Sequence, residues 1–112
     1  MSTLADKARS VMAAYNNGDP EPLIATFHDD VQYTIVNLDR TYRGLEEVSA
    51  LAREGAGQTR FHIQEVISHG PLIAFSYEHH NPLAGMSYQG PGLAVQTYDD
   101  DGRLLCQWAY RA

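Results

Sequence analysis

Moving a proton near neutral pH calls for an imidazole or a shifted carboxyl, and this chain carries five histidines beside seven tyrosines and one cysteine. On the run that begins at Leu72, the large apolar residues Ile73 and Phe75 share a face with Tyr77 and His79. Ala74, Ser76, Glu78 and His80 lie opposite. If the apolar pair faces the core, His79 points inward beside a phenol. Paired with Tyr77 or Tyr33, it can accept and return a proton in an enolisation or dehydration. The plainer reading is a partly solvated ring at a strand end. His62 alternates with Phe61 and Ile63 and so faces outward, while His28 and His69 fall at a helix end and a turn. His79 and His80, adjacent on a strand, point to opposite faces and lack a third ligand, so no metal site is expected. Cys106 reads as a small buried hydrophobe with no histidine placed to activate it. Glu65 and Glu78 read as outward-facing strand carboxylates. The stretch from Gly85 to Gly92 lacks the helix that a phosphate loop needs, and no cofactor is expected.

Helices are concentrated early in the chain and strands late. Thr3 and Asp6 form a weak capping box ahead of Leu4, Ala8, Val11 and Tyr15 at helical spacing, with Gly18 placed to stop that helix. Asp19-Pro20-Glu21 opens a short second helix burying Leu23, Ile24 and Phe27. From Val31 the period becomes two, with Val31, Tyr33, Ile35 and Asn37 on one face. A third helix runs from Leu45 to Glu54 and ends at Gly55. Arg60 to Ser68, Leu72 to His80, Met86 to Tyr98 and Arg103 to Arg111 read as strands, with a loop over Asn81 to Gly85. Gly90-Pro91-Gly92 is expected to bend or bulge its strand. Two faces of that strand are open to the reading: Gln96 and Tyr98, or Leu93, Val95 and Thr97. The order ααβαββββ argues an α+β fold with the helices on one face of a curved, mostly antiparallel sheet.

A chain of 112 residues with 44% hydrophobic and 20% charged residues reads as one ordered domain over 1–112. It carries a net charge of −6 with no basic stripe, which argues against nucleic acid as a partner. No apolar stretch resembles a signal peptide or reaches the ~20 residues that span a bilayer, so no membrane is expected and a cytoplasmic protein is the default.

Several motifs sit along this order: Asn17-Gly18-Asp19, then Phe27-His28-Asp29-Asp30-Val31-Gln32-Tyr33, then Tyr42-Arg43-Gly44. The last hairpin adds Asp101-Gly102-Arg103-Leu104-Leu105 and Gln107-Trp108. Together they resemble the SnoaL-like branch of the nuclear transport factor 2-like superfamily, which includes ketosteroid isomerase, scytalone dehydratase and limonene epoxide hydrolase. The resemblance implies a cone-shaped (cystatin-like) mixed sheet wrapped around a long N-terminal helix, an apolar pocket open at one end, and a homodimer formed through the outer sheet face. It also favours Ala94, Gln96 and Tyr98 as the inward set.

Carried over residue by residue, the family's chemistry is thin here. Ile35 stands where the isomerase pattern has its catalytic aspartate, Val11 at its oxyanion-hole tyrosine, and Ala94 near its protonated aspartate. Tyr33 matches the tyrosine that holds water in the epoxide hydrolases. Its asparagine partner is replaced by Ile35, and Asn37 substitutes only if the strand register shifts. Trp108 is followed by Ala109, where many relatives carry an acid. What remains is acid/base proton transfer on a small, apolar, oxygenated substrate. His79 and Tyr33 are the expected catalytic pair, with Tyr15, Tyr77, Gln96 and Trp108 as binding residues. Trp108 and Tyr110 share a face that either walls a ligand or packs the core. The alternative is a non-catalytic ligand-binding or dimerisation module of the same fold.

Overall fold

A computed structural model describes residues 4–56, 58–81 and 88–111. Among these residues are three α-helices: α1 (Leu4–Asn16), α2 (Glu21–Ile24) and α3 (Leu45–Gly55). The six strands are β1 (Phe27–Ile35), β2 (Arg40–Arg43), β3 (Arg60–His69), β4 (Leu72–Asn81), β5 (Tyr88–Tyr98) and β6 (Leu104–Arg111). They form one sheet in the order β2-β1-β6-β5-β4-β3. Every pairing is antiparallel except β1 with β6, which run parallel and join the first strand to the last. The α+β cone architecture is as the sequence implies. The Thr3 cap, the loop residues 82–85 and the strand start at Met86 lie outside the described residues.

Three departures from the sequence reading have physical causes. The chain has a strand at Arg40–Arg43 that was not expected. A 3₁₀ turn over Val36–Leu38, closed by Asp39 at φ 49, reverses the chain so that Tyr42 comes to lie opposite Tyr33. Aspartate tolerates that left-handed conformation better than most residues. Asn37 therefore sits in the turn and does not continue the Tyr33 face. The pairing of β4 with β5 also runs unbroken from Leu72 opposite Thr97 to Asn81 opposite Tyr88, so Gly90-Pro91-Gly92 does not bulge and Asn81 ends a strand. Pro91 lies just past Gly92, the last β5 residue paired with β6, and a strand tolerates proline at such an edge. Finally, His28 lies within β1, not at a helix end.

The bends occur where the register shifts, between Phe27 and Gln32, Ile63 and Val66, and Thr97 and Tyr98. At the β3 shift, backbone groups that lose ladder partners find side chains. Arg9 of α1 donates to the carbonyls of Ile63 (3.4 Å) and Gln64 (3.3 Å), and the Glu65 N–H donates to Ser76 Oγ (3.2 Å). At its last residue, α1 is pinned to β3 by Asn16, whose amide donates to the Phe61 carbonyl (2.7 Å) and accepts from the Phe61 N–H (2.8 Å). At the last hairpin, Asp99 Oδ1 accepts the N–H groups of Arg103 (2.8 Å) and Asp101 (2.9 Å). The Arg103 bond is the main reason that the Asp99 carboxyl is held below its ordinary value.

Strand alternation divides the sheet into two faces. Ile73, Phe75, Tyr77 and His79 of β4, Ala94, Gln96 and Tyr98 of β5, and Leu104 and Ala109 of β6 are buried under the helices. The opposite face carries Leu93, Trp108 and Tyr110, exposed by 52%, 42% and 49%. Cys106, only half-buried, lies on this outer face with Trp108.

Candidate functional site

The helices do not fill the cone. A cavity of about 450 Å³ remains between α1, α3 and the inner face of the sheet, a size that suits a small molecule. Its walls are mostly apolar: Met12 from α1, Val48, Leu51 and Ala52 from α3, Val31 and Ile35 from β1, and Phe75 from β4. Polar groups enter at a few points. Tyr15, Tyr33, Tyr42 and Tyr77 bring phenols, Gln32, Gln58 and Gln107 bring amides, Thr59 a hydroxyl, and Arg40 and Glu54 the charges.

Each phenol is placed by its element. Tyr33 and Tyr42 are cross-strand partners on β1 and β2, with ring centroids 6.4 Å apart. On the other side of β1, Tyr33 is the register partner of Gln107, which puts phenol and amide side by side on the cavity wall. Arg40 donates to the Tyr42 hydroxyl (3.4 Å), and that hydrogen bond holds its guanidinium above the ordinary arginine value. Tyr15 lies over the end of α3, where its hydroxyl occupies the space that a Cβ on Gly55 would take. Tyr77 lies flat over Gly92, its partner on β5. Phe61 packs edge-on against the Tyr77 ring at 5.3 Å.

Of the six expected site residues, Tyr15, Tyr33 and Tyr77 line this cavity and His79, Gln96 and Trp108 do not. His79 faces inward but lies one strand position beyond the lining. It is buried, with its ring 6.2 Å from Phe61 and 6.3 Å from Tyr77, two residues that do line the cavity. Trp108 is on the outer face because parity on β6 puts Gln107 and Ala109 inside. Gln96 is buried behind Gln107. Its Nε2 donates to Gln107 Oε1 (2.8 Å) and its Oε1 accepts from the Tyr98 hydroxyl (2.6 Å).

Burial pushes the Tyr98 phenol up to about 12. The unfolded chain therefore loses this proton near pH 10, while the folded chain keeps it to about 12. The stability this contributes is complete below pH ~10 and is lost as pH rises through the folded value, about 3 kcal/mol in all. Alkaline unfolding of Tyr98→Phe, followed by circular dichroism, is expected to lack this slope; equal slopes in both proteins would refute the assignment.

The polar lining residues that the sequence reading missed are Gln32, Arg40, Tyr42, Glu54, Gln58, Thr59 and Gln107. Tyr42 and Arg40 belong to the unforeseen strand. Gln107 was within reach of parity alone, since placing Trp108 outside puts its neighbour inside. Among the described residues, no three His, Cys, Asp or Glu side chains converge on a metal-sized site, and no helix is long and apolar enough to cross a membrane.

A bent, unclosed sheet wrapped around helices, with an apolar cavity edged by a few hydroxyls and amides, is the architecture of the nuclear transport factor 2-like cone fold. Residues 8–106 match the SnoaL-like domain, and the chain belongs to that family. Among similar solved structures is a limonene-epoxide-hydrolase-like epoxide hydrolase of M. tuberculosis, 21% identical over 97% of this chain and 82% of that one, with a TM-score of 0.81. A nuclear transport factor 2-like protein of unknown function from Burkholderia pseudomallei K96243 is 21% identical over 100% of this chain and 92% of that one, TM-score 0.83. A protein provisionally assigned as a ketosteroid isomerase, from Kribbella flavida DSM 17836, is 16% identical over 97% and 77%, TM-score 0.82. At these identities the likeness is one of fold. No curated protein matches the sequence.

Proposed function

We propose that the cone takes a small, mostly apolar, oxygenated molecule and promotes proton transfer on it, in the manner of an isomerase, cyclase, dehydratase or epoxide hydrolase. The observation that carries this reading is Tyr33 lining a mostly apolar cavity as the strand partner of Gln107, whose side chain lines it too. An oxygen that gains negative charge there meets a phenolic O–H in a low-dielectric cavity, where one such donor counts for far more than in water. In an enolisation, a base takes the proton from the carbon next to a carbonyl, the C–H electrons move to the oxygen, and Tyr33 hydrogen-bonds the resulting enolate. Glu54 is the carboxylate that lines the cavity among the described residues, and it is the base in this reading. His79 is assigned a positioning role, packed behind Tyr77 and Phe61.

A second reading, a ligand-binding module without turnover, is favoured by one observation: Glu54 is exposed, so among the described residues the buried wall itself holds no carboxylate or imidazole. Soaking crystals with apolar ketones and epoxides, and assaying the same compounds for turnover, separates the two. Density against Tyr33 with turnover supports the enzyme, density without turnover supports the binding module, and a cavity that stays empty refutes both.

The outer face suits a second copy of this chain, since Leu93, Trp108 and Tyr110 expose large apolar surface on one side of the sheet. Sedimentation is expected to give a dimer that Trp108→Arg dissociates; a monomeric parent protein would refute this.

A further inference from the structure

We infer that the Tyr98–Gln96–Gln107 chain fixes the Gln107 amide as a hydrogen-bond donor to the cavity, so that the site selects ligands presenting an acceptor oxygen, a ketone or enolate, over those presenting a hydroxyl or no oxygen. The inference rests on the reading of the cone as a ligand site and deepens it.

The direction of the chain follows from its buried end. Tyr98 is 8% exposed, and its hydroxyl has Gln96 Oε1 at 2.6 Å as an acceptor. A buried phenol needs somewhere to place its proton, and turning the Gln96 amide around would set an N–H₂ against it and leave that proton unbonded. Gln96 must therefore point its oxygen at Tyr98 and its nitrogen onward. That nitrogen donates to Gln107 Oε1 at 2.8 Å, which consumes the acceptor end of Gln107. What Gln107 then turns to the cavity is its N–H₂ end, beside Tyr33 on the neighbouring strand. Because burial keeps the Tyr98 phenol protonated up to about 12, the orientation holds across the working pH range. Gln96 and Tyr98 do not line the cavity; they are positioning residues that act through Gln107.

The test uses three probes of nearly equal shape: 2-acetonaphthone, 1-(2-naphthyl)ethanol and 2-ethylnaphthalene. Binding to the full chain is measured by calorimetry, and the carbonyl stretch of the bound ketone by infrared difference spectroscopy. The ketone is expected to bind about tenfold more tightly than the hydrocarbon, with its carbonyl stretch lowered. Gln107→Glu, whose carboxylate still accepts from Gln96 and when ionised offers no donor, is expected to abolish that preference. Tyr98→Phe frees the Gln96 amide to rotate, and is expected to return the carbonyl stretch most of the way to its Gln107→Glu position without changing hydrocarbon affinity. A spacer role for Tyr98 would not move that band. Equal affinities for the three probes in the parent protein, or an unmoved band in both variants, would overturn the relay and leave the cavity reading intact. Failure of all three probes to bind would overturn both.

Discussion

Replacing Tyr33 by phenylalanine is expected to lower turnover of an accepted substrate by about two to three orders of magnitude, the usual cost of removing one donor from a developing oxyanion. The loss belongs in kcat more than in KM, because the hydrogen bond strengthens as charge accumulates on the oxygen. Folding is expected to survive, since Tyr33 is only half-buried and the substitution keeps the ring that packs against Tyr42. Steady-state kinetics on a soluble variant with a parent-like melting curve decide the matter. Unchanged kcat would remove Tyr33 from the chemistry and leave the cavity as a binding site.

Gly92→Ala is expected to be the most damaging single substitution of one small residue for another. A Cβ at that position would stand 2.5 Å from Tyr77 Cε2 and 2.7 Å from Tyr77 Oη, inside any allowed contact. The ring cannot simply lift away, because Phe61, Phe75 and His79 pack around it at centroid distances of 5.3, 6.0 and 6.3 Å. Relief requires the strands to part or the ring to swing into the cavity. Overpacking of this kind costs about 1–3 kcal/mol, and the same movement shrinks the ligand space. Thermal melting is expected to show the destabilisation, and adding Tyr77→Ala in the same chain to relieve part of the clash. If Gly92→Ala melts with the parent protein, the flat approach of Tyr77 to the backbone is wrong.

How much of this was legible in the sequence depends on the kind of signal each element leaves. Inward residues of β4 were readable because Ile73, Phe75, Tyr77 and His79 alternate with smaller or polar neighbours, and burial follows that alternation. The strand at Arg40–Arg43 left almost no trace, since four residues with two arginines carry no clear period. Missing it also hid Tyr42 and Arg40, half of one cavity wall. Trp108 misled for a different reason: a large aromatic reads as core, yet Ala109 is buried opposite Ala94, and the register shift between Thr97 and Tyr98 lets Leu104 be buried too without turning Trp108 inward. For His79 the face was right and the depth was wrong. Period two reports which side a residue takes, whereas the distance along the strand to the cavity depends on where α1 and Phe61 cover the sheet.

The parallel contact of β1 with β6 has a kinetic consequence. Tyr33 and Gln107 become neighbours only when β1 meets β6, which is made after every other described strand. During synthesis the α1–β3 portion must wait, its inner face unmatched, until β6 has left the ribosome and slots between β1 and β5. Pairings this distant in sequence slow the folding of small proteins. Nascent chains halted before Leu104 would therefore carry all three helices and the four cavity tyrosines but no completed binding wall, and their open strand edges would be the place where chaperones or aggregation take hold.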